Sequence, residues 1–303
     1  MVLRAQLNSQ CRVEIKHGYI ETRLESERHP KSSPTRGTMK LSTLILLLLA
    51  AAASGEVEKR VVGGKPCKTD RQYHVQIQSI QPGKSCGGSL INTGWVITAS
   101  HCAEQAVKLT LGLNNNVGWM DKIGSWLKRK SKKLEQDIKT EQQFSYKDEE
   151  GKAHDIMLIK LNENMSPNLP TIRLPPAADC TKPEIGQQVE IGGWGAKKAD
   201  ILKNKLPKSL QCASTDLSTC GENDKPGDKY VSDEESTMCA FKWGVETCFG
   251  DAGSAVEYNN ILHGIVLSNP VDMCASTIVM ANICHYRAWI DKTMRENALN
   301  QKV

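Results

Sequence analysis

Apolar and polar positions alternate along Ser85–Ile91 and again along Trp95–Cys102, the two-residue period of half-buried β-strands. The end of the chain has a different period. Tyr286, Trp289, Ile290 and Met294 fall on one helical face, which predicts a helix within 286–300. Leu41–Ala53 is an almost unbroken apolar run, shorter than the ~20 residues of a membrane span. It follows Met39-Lys40 and ends in Ala51-Ala52-Ala53-Ser54-Gly55. A basic start, a short apolar centre and small residues at the end are the layout of a signal peptide, assigned to 39–55. No later segment is apolar enough to span, so no membrane span is expected. Residues 1–38 are polar and charged without apolar periodicity. They are read as a disordered upstream extension, with Met39 the true start. Ser166–Asp179 holds four prolines and reads as a linker.

The chain has 303 residues, 39% hydrophobic and 24% charged, enough for one large or two small domains with a real core. Its net charge of +5 is uneven. Residues 1–60 carry ten Lys/Arg against six Asp/Glu, leaving +1 on 61–303. Bulk charge therefore offers nothing for a nucleic-acid partner. Eleven cysteines are many for a cytosolic protein, and their spacings do not form paired zinc knuckles. Without Cys11 in the upstream extension ten remain. An even set favours a disulfide framework in an oxidising compartment over buried free thiols, and a secreted, extracellular protein.

Four segments carry candidate chemistry, in this order: Lys59-Arg60-Val61-Val62-Gly63-Gly64, Thr98-Ala99-Ser100-His101-Cys102, His154-Asp155-Ile156-Met157-Leu158-Ile159-Lys160-Leu161, and Gly250-Asp251-Ala252-Gly253-Ser254. Together they resemble the activation site, the histidine and aspartate segments and the nucleophile loop of the trypsin/chymotrypsin serine protease family. Ser85-Cys86-Gly87-Gly88-Ser89-Leu90-Ile91 and Gly192-Gly193-Trp194-Gly195 add to the match, which covers about 61–295. The resemblance implies an all-β fold of two six-stranded antiparallel barrels, about 61–172 and 173–303, with a C-terminal helix. It makes 56–60 an activation peptide, cut after Arg60 by a trypsin-like protease. The freed ammonium of Val61 would then pair with Asp251. His101 corresponds to the general base and Asp155 to the residue that orients it. The N–H groups of Gly250 and Ala252 correspond to the oxyanion hole. By position, the family's disulfides become Cys67–Cys212, Cys86–Cys102, Cys180–Cys284, Cys220–Cys239 and Cys248–Cys274. A further common pair is missing, its positions falling at Val189 and Tyr258.

The departures matter as much. The family's nucleophile is a serine; here Ala252 has a methyl group and no oxygen with which to attack a carbonyl. The substrate pocket differs too. Glu246 stands at its base, Leu267 and Asn269 in one wall, and Ile278 where trypsins carry glycine, so a branched side chain is expected to narrow or fill it. Leu113-Asn114-Asn115-Asn116 lacks the carboxylates a calcium loop needs, and no metal or cofactor is expected. Lys128, Arg129, Lys130, Lys132 and Lys133 form a dense basic run beside Trp126, a candidate surface for a sulfated glycan.

The reading is a non-catalytic, monomeric protease homologue that binds a protein partner, a glycan or a surface. The alternative is a serine endopeptidase with residual trypsin-like activity, if Ser254 substitutes for the missing hydroxyl. A third is a haptoglobin-like carrier.

Overall fold

The computed structural model describes residues 12–16, 19–23, 64–80, 85–114, 134–162, 169–195, 209–247, 251–267 and 277–299. It divides into two units, Met1–Val57 and Glu58–Val303. In the first, β1 (Arg12–Lys16) and β2 (Tyr19–Arg23) pair antiparallel, Val13 across from Thr22 and Ile15 across from Ile20. β-branched residues at every second position favour this local pairing over the disordered extension read from the sequence. A lone two-stranded hairpin is marginal in water.

The second unit holds two seven-stranded sheets. Its strands begin with the two-residue β3 (Lys65–Pro66). The first sheet takes β4 (His74–Ser79), β5 (Ser85–Asn92), β6 (Trp95–Thr98), β7 (Val107–Leu111), β8 (Leu134–Ile138), β9 (Gln143–Lys147) and β10 (Ala153–Lys160), in the order β8-β7-β4-β5-β6-β10-β9. It counts seven strands because a single 3-10 turn at Thr140–Gln142 separates β8 from β9. The second takes β11 (Gln188–Gly193), β12 (Gln211–Ser218), β13 (Thr237–Phe241), β14 (Ala255–Tyr258), β15 (Ile261–Val266) and β16 (Thr277–Asn282), in the order β11-β14-β15-β16-β13-β12-β3. β11 also pairs with β12, which closes six of these strands into a barrel, with β3 added at its edge.

The sequence pattern explains the faces. β12 reads Gln-Cys-Ala-Ser-Thr-Asp-Leu-Ser and alternates buried and half-buried positions along its whole length. β10 is buried at six successive positions, so its apolar run is covered on both faces. Val75, Ile77, Val96, Leu109 and Leu158 belong to one core cluster, and Val189, Ile191, Ala240, Val256 and Met280 to another. Each large apolar side chain so buried contributes roughly 1.5–3 kcal/mol.

The chain passes from one sheet to the other at Ile172 and Arg173. Ile172 N–H donates to Leu90 O at 3.0 Å, while Arg173 O accepts from Leu262 N at 2.9 Å. The helix α1 (Ile283–Leu299) then returns to the first sheet. Ile283, Tyr286 and Ile290 are buried in the cluster that holds that sheet's core and also Leu262 and Ile265 of β15, with Trp289 and Met294 half-buried against it. The Lys160 ammonium also donates to Asn297 O at 2.5 Å. Among the described residues four disulfides staple the unit: Cys67–Cys212, Cys86–Cys102, Cys180–Cys284 and Cys220–Cys239. Cys248 and Cys274 lie outside the described residues. Bridges of this kind typically contribute about 2–4 kcal/mol each.

Candidate functional site

His101 occupies the 3-10 turn Ser100–Cys102 that follows β6. Asp155 lies in β10, the strand paired with β6. That neighbouring places the two side chains together although 54 residues separate them. Asp155 Oδ2 lies 2.7 Å from His101 Nδ1, and Oδ1 accepts the His101 backbone N–H at 2.9 Å. One carboxylate thus fixes both the ring and the turn that carries it. The carboxylate is 1% exposed and the imidazole 12%. An acceptor at Nδ1 favours the tautomer with its proton on that nitrogen, while Nε2 lies 3.6 Å from the Cys102 sulfur. The Ser100 hydroxyl reinforces the geometry by donating to Ile156 O at 2.9 Å, across to the Asp155 strand. Cys86, Cys102 and His101 bring their ligand atoms within 4.8 Å of one another. The two sulfurs are joined, however, and a disulfide offers no thiolate to a metal.

The Ala252 turn is seated on β5. Ala252 O accepts Gly87 N–H at 2.7 Å, one residue from the Cys86–Cys102 bridge beside His101. Gly253 follows with φ +80°, and a Cβ there would collide with Gly87 O and the Thr98 hydroxyl. Only glycine suits that position. Ala252 is 1% exposed. Ser254, two residues on, has no exposed surface, and its hydroxyl has no hydrogen-bond partner. It faces Gly87 and the His74 ring rather than a cleft.

Asp251 is buried, its Oδ1 accepting Gly195 N–H at 2.8 Å. Its carboxylate occupies the space that Cβ atoms on Gly193 and Gly195 would need. The spacing Gly193-Trp194-Gly195 is therefore a cradle for this one acid.

Among the expected pocket residues, Ile278 is fully buried in the second core cluster, paired in register with Ala240. Leu267 is buried against the first cluster, its N–H bonded to Val279 O at 2.8 Å. Glu246 is half-buried. Asn269, Gly250, Arg60, Val61 and the basic run Lys128, Arg129, Lys130, Lys132 and Lys133 lie outside the described residues.

Three features near these residues have no sequence signal. His74 is buried, edge-on to Trp194 with ring centroids 5.4 Å apart, and neither ring nitrogen has a hydrogen-bond partner. Burial, helped by the Arg71 guanidinium, pushes its pKa down to about 3. Arg71 itself donates to Ala255 O at 2.9 Å and ion-pairs with Glu257 at 3.0 Å, while the Tyr73 hydroxyl bonds the same carboxylate. Beyond Cys102, Glu104 accepts from the Lys229 ammonium and the Tyr230 hydroxyl, both at 2.6 Å. Burial and the Glu104 bond hold the Tyr230 phenol well above its ordinary range.

The family model described as Trypsin matches residues 61–290. The chain belongs to the trypsin family. Alpha-fibrinogenase albofibrase of Trimeresurus albolabris is 30% identical over 263 residues, covering 84% of this chain and 93% of that protein. Kallikrein-14 of Homo sapiens is 27% identical over 265 residues, with 84% and 92% covered. Chymase of Papio hamadryas is 29% identical over 270 residues, with 86% and 99% covered. Among solved structures, neuropsin, a serine protease expressed in the limbic system of mouse brain, superposes with a TM-score of 0.54 at 27% identity, covering 76% of this chain and 98% of neuropsin. As a trypsin-family chain this one holds His101 and Asp155 in hydrogen-bond contact and carries alanine at position 252. Among the described residues no helix is long and apolar enough to cross a membrane.

Proposed function

We propose that this chain is a secreted trypsin-family protein that binds rather than cleaves. The observation that carries the reading is Ala252, a methyl group where acyl transfer needs an oxygen nucleophile. Removing the serine costs about 10⁶ in kcat in subtilisin, so a retained histidine–aspartate pair is not enough. Two further observations support it. The Ser254 hydroxyl is buried and out of reach of a substrate, and Ile278 lies inside the barrel core. In this reading the basic run 128–133 takes a sulfated glycan. A trypsin-like protease cuts after Arg60, and the buried Asp251 takes up the freed ammonium of Val61. The intact contact between His101 and Asp155 at 2.7 Å favours a second reading, residual endopeptidase activity. Assay of residues 61–303 with Arg, Lys and aromatic peptide esters separates the two. The expected result is hydrolysis no faster than in buffer; saturable turnover proportional to protein would overturn the proposal.

A further inference from the structure

Between β12 and β13 the chain leaves the second sheet and reaches the first. The Cys220–Cys239 bridge closes the base of this excursion. Both of its stems are tied into turns. Gly221 N–H donates to Asp224 Oδ2 at 2.8 Å, and at the other end Ser236 N–H donates to Asp233 Oδ1 at 2.7 Å. The middle is held on the first sheet at two points. Val231 N–H donates to Ala153 O at 2.9 Å, on the strand that carries Asp155. Glu104, just beyond the turn that carries His101, accepts the Lys229 ammonium on both carboxylate oxygens, at 2.6 and 2.7 Å, and the Tyr230 hydroxyl at 2.6 Å. The excursion is thus fastened to both chain segments that supply the His101–Asp155 pair.

The contact at Glu104 is more than a surface ion pair. An exposed lysine–carboxylate pair contributes little by itself, and the Lys229 side chain is well exposed. Here the same carboxylate also takes a phenol. Burial first, then the Glu104 bond and the charge of Asp155, hold that phenol well above its ordinary range. It therefore stays a protonated donor at neutral pH, within electrostatic reach of Asp155. The Lys229 ammonium also stands 5.5 Å from the centre of the Tyr230 ring, so the two donors brace each other. Glu104 itself has φ +61°, a left-handed backbone that glycine adopts freely and other residues seldom do. Such conformations persist where surrounding contacts impose them, and they gather at clamps and switch segments.

We propose that residues 227–231 are a strap closed over the flank of the His101–Asp155 pair, with Glu104 as the catch that holds it shut. A ligand that approaches His101 from this flank has to release the catch first. The imidazole is only 12% exposed, although His101 sits on a turn rather than inside a strand. The strap rests on Glu104, Lys229 and Tyr230 and is independent of the residue at position 252 and of the basic run.

Diethyl pyrocarbonate, which acylates accessible imidazole nitrogens, probes the full chain, with each histidine followed by peptide mass. Glu104→Gly removes the carboxylate and suits the left-handed backbone, so it preserves the fold. Tyr230→Phe keeps the ring and removes one donor. His101 should react roughly tenfold faster in Glu104→Gly, the effect of losing hydrogen bonds to a charged group, and by a smaller factor in Tyr230→Phe. Hydrogen exchange at the Val231 amide should quicken in the same order. His74, buried in the first sheet, should keep its rate in both variants. An unchanged His101 rate in both variants, unchanged exchange at Val231, or a rise at His101 matched by His74 would overturn the proposal.

Discussion

Gly193 and Gly195 are small because the carboxylate of Asp251 lies where their side chains would be. Gly193→Ala should destabilise the chain by about 1–3 kcal/mol, the usual cost of forcing a methyl group into a filled space. Urea unfolding measures it, and an unchanged midpoint would show that Asp251 yields without cost. His74 sets a second residue-scale expectation. Its ordinary pKa is 6.5, and burial lowers it to about 3 in the folded chain. Between those values the unfolded chain binds the more protons, so stability rises with pH. The contribution of neutral His74 is complete above pH 6.5 and is lost on acidification toward pH 3. The slope from this one group approaches about 1.4 kcal/mol per pH unit. Urea midpoints between pH 4 and pH 8 should fall less steeply with acid in His74→Gln than in the parent chain; parallel curves would mean His74 is not buried neutral. Neither effect was legible in the sequence. A histidine in an alternating strand looks like any other polar position, and only the fold brings Trp194 to it.

At the scale of elements, Arg71, Tyr73 and Glu257 tie the stretch before β4 to β14 across 184 residues. Removing one partner of a buried pair strands the other, typically at about 3–5 kcal/mol. Arg71→Met should show that loss in urea unfolding, and adding Glu257→Gln should recover most of it. A double variant no more stable than the single one would contradict the pairing. The wall strand β16 carries a separate expectation. With Ile278 in the core cluster, Ala252→Ser should restore little turnover of Arg or Lys esters, and trypsin-like rates in that variant would show an open pocket. What the sequence revealed at this scale followed from local chemistry. His101, Asp155 and Ala252 sit in segments most of whose neighbours match the family's, and the two-residue period marks β5 and β6. The separation of β8 from β9 by a single 3-10 turn, and the pairing of β1 with β2 in a charged stretch, depend on local hydrogen bonding that composition does not announce.

For the whole molecule, the cysteine positions carried the most information, since four of the pairs implied by the family resemblance are bonded. Networks such as Glu104 with Lys229 and Tyr230 join residues too far apart in sequence to be paired without the fold. A global consequence follows if cleavage after Arg60 gives Asp251 a buried ammonium partner, because that pair would order the turn around Ala252. Hydrogen exchange in residues 245–255 should then slow on cleavage, and Asp251→Asn should abolish the change while leaving cleavage intact. Identical exchange before and after cleavage would make the junction a relic. The central claim is the absence of a usable nucleophile beside His101 and Asp155. It is tested most directly by incubating the cleaved chain with a serine-directed fluorophosphonate and weighing the intact protein. The account predicts an unchanged mass with active trypsin labelled in parallel. A single stoichiometric adduct on a serine of this chain would contradict it.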